Sequence, residues 1–207
     1  SNPVFRNVAI KNNSARTGGG IRSSNCSINL VNSVLSGNSA NISDGGGISS
    51  VASSWDLTNV LIIGNSAVDD GGGISCGSSN LTLTNVTIAG NATNDKGDGI
   101  YYPNANITVV NCILWNEIND NSTSSPLNIL YSDIHGGWEG TGNINADPLF
   151  CDSSNGDFTL VSNSPCVGTG QDGANMGALG VGCEPSITGC TDPEACNYNA
   201  SATDDDG

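Results

Sequence analysis

The feature that most constrains this chain is an internal repeat of about 26 residues. Successive copies begin with an asparagine, at intervals of 25, 27, 26 and 26 residues. These first-column asparagines are Asn7, Asn32, Asn59, Asn85 and Asn111. A second column follows six residues later in four copies and comprises Asn13, Asn38, Asn65 and Asn91. A GGGI tetrad comes next, as at 45–48, and it becomes GDGI at 97–100. Such a regular period indicates a repeat architecture.

The apolar residues within each copy predict strands rather than helices. They alternate, as in Val60 and Ile62 or Leu81 and Leu83, and a period of two places them on one face of a strand. A single coil of three short strands cannot bury its apolar face, whereas stacked coils share a continuous core. The sequence therefore predicts an all-β, right-handed parallel β-helix, or β-solenoid, with about 26 residues per coil. We expect a C-terminal β cap and a short Cys/Asp-rich tail after the coils.

Both asparagine columns and the glycines have a structural interpretation. Identical amides stacked at the strand spacing of roughly 4.8 Å can bond to one another as a ladder and can satisfy backbone groups at a turn. Glycine provides positive φ where the chain turns sharply. Because a catalytic site is needed only once, fivefold repetition favours architecture over binding for these residues.

The repeat motifs resemble those of known β-helix proteins. The GGGI tetrads, combined with LSGN, IIGN and IAGN, resemble repeats of chlamydial-type polymorphic outer-membrane proteins and, more broadly, the pectin-lyase-like class. Three later segments resemble the end of choice-of-anchor β-helix proteins of environmental bacteria. These segments are YSDIHGG (131–137), GNINADPLF (142–150) and NMGALG (175–180). The resemblance covers residues 1–183 and implies a β-helix, secretion and surface display, without implying a reaction.

The chain divides into three parts on these patterns. We expect coils over residues 1–135, a C-terminal cap of the solenoid over 136–183 and a Cys/Asp-rich module over 184–207. The last part resembles thrombospondin type 3-like repeats, which often bind calcium, and we expect it to be truncated. Its candidate calcium ligands are Asp192, Asp204 and Asp206, because oxygen ligands near a Gly turn suit this ion.

The net charge and the cysteine content restrict the kinds of partner and the cellular location that the sequence favours. The chain carries 20 acidic residues against 5 Lys and Arg, a net charge of −15. This balance argues against nucleic acid, because no basic stripe is available to neutralise phosphates. No apolar run is long enough to insert into a membrane. The 8 cysteines favour an oxidising, extracellular or cell-surface location.

A second candidate calcium site lies before the glycine tetrads. When the copies are aligned on GGGI, acidic residues of successive copies fall in neighbouring columns and form an acidic ridge along the solenoid. Its candidate calcium ligands are Asp44, Asp69, Asp70 and Asp98. The competing interpretation is a solvated turn of mixed charge. Strand alternation would point Asp69 and Asp70 in opposite directions. The sole histidine, His135, lies about 65 residues from that pair, and the sequence offers no nucleophile–base pair around it.

The cysteines suggest two bridges. Cys151 and Cys166 flank the GDFTL strand, where a bridge would hold the cap, and Cys190 and Cys196 could close the acidic loop of the tail. Eight cysteines allow about 105 pairings, so other connectivities stay open. Cys112 replaces an inward valine and is expected to be a buried free thiol.

The sequence favours a non-enzymatic role. The first hypothesis is a secreted or cell-surface structural or adhesive scaffold, which assembles with copies of itself into a fibre or binds surface glycans. The alternative is a calcium-dependent β-helix that binds or degrades polysaccharide. Calcium is the only cofactor that the residues suggest.

Overall fold

A computed structural model describes residues 2–119 and 126–205. It confirms an all-β parallel β-solenoid of about 7 turns, with about 26 residues per coil. In the described part of the chain, no helix has the length and apolar character needed to cross a membrane.

The strands are short, and most lie in the coils. In chain order they are β1 (Val4–Arg6), β2 (Ala9–Lys11), β3 (Ser14–Ala15), β4 (Ile21–Ser24), β5 (Ser27–Ser36), β6 (Ser39–Ala40), β7 (Ile48–Val51), β8 (Ser54–Ile63), β9 (Ser66–Ala67), β10 (Ile74–Gly77), β11 (Asn80–Ala89), β12 (Ala92–Thr93), β13 (Ile100–Tyr101), β14 (Asn106–Val110), β15 (Ile113–Trp115), β16 (Ile118–Asn119), β17 (Leu127–Leu130), β18 (Asp133–Ile134), β19 (Phe150–Asp152), β20 (Asp157–Val161) and β21 (Val181–Cys183). Two 3₁₀ turns cover Ser153–Asn155 and Gln171–Gly173.

The coils stack in strict register through three parallel sheets. The largest sheet has the strand order β1-β5-β8-β11-β14-β17, with β2, β15 and β18 at its margin. The second has the order β16-β13-β10-β7-β4, and the third β12-β9-β6-β3. Residues one copy apart are direct partners, so Leu30 pairs with Leu57, Leu57 with Leu83 and Leu83 with Val109. All four side chains are buried and belong to one core that runs through the coils.

The second asparagine column forms a buried amide ladder. Its members are Asn13, Asn38, Asn65, Asn91 and, one copy further, Asn116. Asn65 is 1% exposed and uses its full bonding capacity. Its Nδ2 donates to the Leu35 carbonyl at 3.0 Å and to Asn91 Oδ1 at 2.9 Å. Its Oδ1 accepts from the backbone N–H and the Nδ2 of Asn38, at 3.0 and 2.9 Å.

The first asparagine column has a different role, because its residues turn the chain. Each of these corner asparagines adopts φ between 50° and 55°, a left-handed conformation that asparagine tolerates better than most residues. Between neighbouring copies, Asn59 Nδ2 donates to Asn32 Oδ1 at 3.0 Å. Oδ1 of Asn111 instead accepts from the backbone N–H of Gln171 at 2.7 Å, in the C-terminal region.

The glycine tetrads combine two requirements. The first glycine has positive φ, for example 74° at Gly45. The third has no room for a side chain, since a Cβ on Gly47 would lie 2.6 Å from the carbonyl oxygen of Gly73. This close approach of the two backbones helps to hold neighbouring coils together, because the Gly47 N–H donates to the Gly73 carbonyl at 3.0 Å.

The C-terminal region packs beside the solenoid as well as over its last coil. Ile144 forms a parallel bridge with Asp133, so the stacking continues past residue 135. The chain then forms a three-stranded sheet, β19-β20-β21, which we call the C-terminal sheet. Its residue Phe158 packs with Leu61 and Ala89 on the outer side of the coils. We call this apolar outer surface the outer stripe; it consists of Val34, Leu61, Ile63, Ala89, Ile113 and Trp115.

The disulfide differs from the expected pairing. Cys151 is bonded to Cys183, with a Cα–Cα distance of 6.0 Å, so β19 is linked to β21 rather than to the turn after β20. Cys166 is a buried thiol that faces Asp133, and Cys190 and Cys196 are also free thiols. Cys112 is a buried free thiol as predicted, and burial raises its pKa to about 12.

We predict that Asn65→Ala destabilises the solenoid strongly. The substitution removes four hydrogen bonds and leaves the Leu35 carbonyl and the Asn38 N–H buried without these partners, at a cost of roughly 2–6 kcal/mol. Urea denaturation followed by circular dichroism measures the loss. Asn41→Ala, at an exposed position, is the control and should change the free energy of unfolding by less than about 0.5 kcal/mol. Equal losses in both variants would contradict the ladder.

We also predict that two glycine substitutions separate steric contact from backbone strain. Gly64→Ala places a Cβ in open space at φ 59°, so only the left-handed conformation is penalised, by about 1–2 kcal/mol. Gly47 does not have a positive φ, so Gly47→Ala is penalised by the steric clash alone, which forces the coils apart at the Gly73 carbonyl. The melting temperature of Gly47→Ala should fall at least twice as far as that of Gly64→Ala. Similar melting temperatures would show that coil spacing does not depend on this glycine.

Candidate functional site

Three carboxylates converge at the turn before the glycine tetrads. Asp69, Asp70 and Asp95 each place an oxygen within 4.8 Å of the others. Asp69 and Asp70 lie in a turn rather than in a strand, so strand alternation does not separate them, and that expectation was wrong. Asp95 comes from the following coil. The arrangement offers several oxygen ligands of the kind that calcium prefers.

Three of the predicted ridge residues accept hydrogen bonds from the backbone. Oδ1 of Asp44 accepts from the N–H of Asp70 at 3.3 Å, and Oδ1 of Asp70 accepts from the N–H of Lys96 at 3.2 Å. Both bonds therefore join consecutive coils. Oδ1 of Asp98 accepts from the Thr93 N–H at 2.8 Å, within its own turn. The structure thus groups Asp69 and Asp70 with Asp95 and assigns Asp98 to a turn.

The electrostatics around Asp69, Asp70 and Asp95, which we call the acidic corner, favour a cation. Burial raises the pKa of Asp44, and the charge of Asp69 raises it further. Burial also raises the pKa of Asp70, with added repulsion from Asp44, Asp95 and Asp69. Like charges at this separation disfavour simultaneous ionisation, and a bound cation would relieve that repulsion.

Among the predicted tail ligands, Asp192 bonds within a local turn, whereas Asp204 bonds across the tail. Oδ1 of Asp192 accepts from the Glu194 N–H at 2.9 Å, and a carboxylate oxygen of Asp204 accepts from the Ser186 hydroxyl. Within residues 2–119 and 126–205, the grouped potential metal ligands are those of the acidic corner, and the tail contributes none. Asp206, the third predicted tail ligand, lies outside the described residues.

The sole histidine contacts an aromatic side chain of β15. His135 lies edge-to-face on Trp115, with ring centroids 5.0 Å apart. Its backbone N–H donates to Leu114 O at 3.0 Å. This side chain therefore packs at the last coil, as an exposed residue.

A buried carboxylate, missed by the sequence interpretation, connects the last coil with the C-terminal region. Asp133 is 0% exposed; its Oδ1 accepts from the Ala146 N–H at 3.1 Å and its Oδ2 from the Cys166 thiol at 3.2 Å. Burial raises the pKa of Asp133, and the charge of Asp147 adds to this effect. The available signal was the register, because Asp133 pairs with the apolar Ile113 of the preceding coil.

A groove lies beside the segment that leads into the C-terminal sheet. It has a volume of about 520 Å³ and runs between the corner asparagines and the segment 174–180. Val34 and Leu61 of the outer stripe contribute its apolar surface. The sequence signal for the stripe was the run VLII at 60–63, since a strand covered on both faces has consecutive apolar residues.

Comparisons of this chain with protein families, with curated proteins and with solved structures find no match.

We predict that Asp133 weakens the fold as it ionises. Its pKa is higher in the folded than in the unfolded chain, so its favourable contribution is present at low pH and is lost as pH rises through the folded pKa. Relative to Asp133→Asn, the wild type should therefore lose stability as the pH rises through the range above 3.8, the ordinary pKa of an aspartate. Urea denaturation at several pH values measures this difference.

Asp157→Asn provides the matched control. The hydroxyl of Thr159 donates to Asp157 and lowers its pKa, so this contribution is present at neutral pH and is lost as pH falls. The stability differences of the two variants from the wild type should thus change in opposite directions with pH. A constant difference for Asp133→Asn over this range would contradict the prediction.

Proposed function

We propose that this protein is a secreted or cell-surface β-solenoid scaffold with a structural or adhesive role. The observation that carries the proposal is the continuity of its internal connections. Backbone hydrogen bonds, a single apolar core and the buried amide ladder all pass from coil to coil. Such a stack resists bending between coils, because a bend would open several kinds of contact at once.

The location and partners belong to the same proposal. A disulfide between Cys151 and Cys183 supports an oxidising environment, and the resemblance to choice-of-anchor proteins agrees with display at a cell surface. The partners we propose are other copies of the chain, in end-to-end or lateral assembly, or surface glycans. Nucleic acid is disfavoured by the charge of −15.

The acidic corner favours a second candidate function. A calcium ion held by Asp69, Asp70 and Asp95 would support binding or cleavage of an acidic polysaccharide. The ion could bridge the protein and a uronate carboxylate. In this candidate the ion belongs to the active surface, whereas in the scaffold it would only fasten neighbouring coils.

One combined experiment separates the two functions. The full chain is incubated with a panel of acidic and neutral polysaccharides, with and without calcium, and parallel samples are viewed by electron microscopy. Straight filaments without new reducing or unsaturated chain ends support the scaffold. Release of unsaturated uronate ends would overturn it in favour of the enzyme.

We predict that calcium binds the acidic corner and stabilises the fold. Calcium should raise the melting temperature, EDTA should reverse the increase, and Asp70→Asn should abolish it. Asp56→Asn, on an exposed position of β8, is the matched control and should retain the response. Because the pKa of Asp70 is raised, protons compete for the ligands, so calcium affinity should fall on acidification. An unchanged melting temperature in EDTA would remove calcium from both functions.

A further inference from the structure

The geometry points to a binding site for a neutral oligosaccharide in the groove between the coils and the segment 174–180, which leads into the C-terminal sheet. Its first wall carries the amides of Asn32, Asn59 and Asn85, from three successive coils. Its second wall is the segment 174–180, and Val34 and Leu61 add apolar surface between the walls. This inference rests on the adhesive role proposed above and names the place where a glycan would bind.

The groove is elongated along the solenoid axis. Adjacent coils lie roughly 4.8 Å apart, so the asparagines of three coils span about 10 Å. Its volume of about 520 Å³ is within the usual range of small-molecule sites. A short extended chain can therefore lie along the row of amides and contact all three coils.

Both walls are fixed before any ligand arrives. The Gly177 N–H donates to the Asn111 carbonyl at 2.8 Å, and the Ala178 N–H donates to Thr87 Oγ1 at 2.9 Å. On the opposite wall, Asn59 Nδ2 donates to Asn32 Oδ1. A preformed groove loses little conformational entropy on binding, which favours affinity for a polar ligand.

The chemistry of the lining selects an uncharged, hydroxyl-rich ligand. None of the lining residues is an acid or a base. An asparagine amide both donates and accepts hydrogen bonds, as a sugar hydroxyl does, so a row of amides matches a row of hydroxyls. Val34 and Leu61 offer apolar contact to the C–H face of a sugar ring. An acidic saccharide would enter without a cationic partner and against a net charge of −15.

An extended peptide fits the solenoid wall less well. Peptides that dock by strand addition need an open sheet edge with unpaired backbone groups. Here β5 pairs with β2 and β8, and β8 pairs with β5 and β11, so their backbone groups are used within the stack. Recognition on this wall would rest on side-chain amides, which favours a saccharide.

The test uses the full chain and a defined set of probes. Cellohexaose, xylohexaose, mannohexaose, maltohexaose and hexa-N-acetylchitohexaose are titrated by isothermal calorimetry, together with a galacturonate hexamer and an uncharged Gly/Ser/Ala hexapeptide. The variant is Asn59→Gly combined with Asn85→Gly, because glycine keeps the positive φ of these corners and removes only the amides. Asn104→Gly, at an exposed left-handed position outside the groove, is the matched control.

We expect at least one neutral hexasaccharide to bind. The double glycine variant should weaken its binding about tenfold or more while it stays folded at the temperature of the titration, and Asn104→Gly should bind as the wild type does. Absence of binding by all five neutral saccharides, unchanged affinity in the double variant, or preferential binding of the hexapeptide or galacturonate would overturn the inference.

These outcomes are separable from those of the proposed function. Filaments without saccharide binding would remove the groove site and leave the scaffold in place. Cleavage of acidic polysaccharide, with neutral binding still sensitive to the asparagines, would overturn the scaffold and keep the site.

Discussion

A buried amide needs several hydrogen-bond partners, and in this fold the nearest partners belong to the neighbouring coils. Asn65 bonds to Asn38 on one side and to Asn91 on the other, and it also binds the Leu35 carbonyl. Moving one coil by a single residue would replace an amide with a side chain that cannot complete these bonds. The ladder therefore fixes the register on which the apolar columns depend. The glycine corners complement it, because Gly47 lets the backbones approach to hydrogen-bonding distance where a Cβ would intrude.

The sequence is most predictive where the structure is periodic. Strand type, coil length and the inward columns follow from residues that recur at fixed offsets, and parallel stacking converts that period directly into contacts. The ladder member Asn116 was missed because it follows Asn111 by five residues instead of six. The corner at Asp69 and Asp70 was misjudged because a rule for strands was applied to a turn. The Cys151–Cys183 bridge and the Asp133–Cys166 contact depend on where the C-terminal region folds back. No local period encodes that placement.

The C-terminal sheet explains an otherwise unfavourable surface. Leu61 and Ile113 point outward from the largest sheet, yet they are 6% and 1% exposed. Phe158 and Leu179 pack on the same side of the coils, so apolar residues on both faces of these strands are covered. A solenoid with this stripe uncovered would present an extended apolar patch, which favours aggregation. The C-terminal sheet thus covers the side of the solenoid in the way that a cap covers the end of one. The segment 174–180, which leads into β21, forms the wall of the groove that faces Val34 and Leu61.

The candidate binding residues lie at the corners of the coils, where side chains belong neither to the amide ladder nor to the inward apolar columns. The amide ladder and the inward columns are occupied by packing, so changing them would affect stability before it affected binding. Asp69 and Asp95 lie at the turn that precedes the glycines, whereas Asn32 and Asn59 lie at the corner within the largest sheet. The two corners differ in charge, since one is acidic and the other carries neutral amides. A cation and a neutral saccharide would therefore be held by different residues of the same coils, and variants at one corner can be used to test it without altering the other.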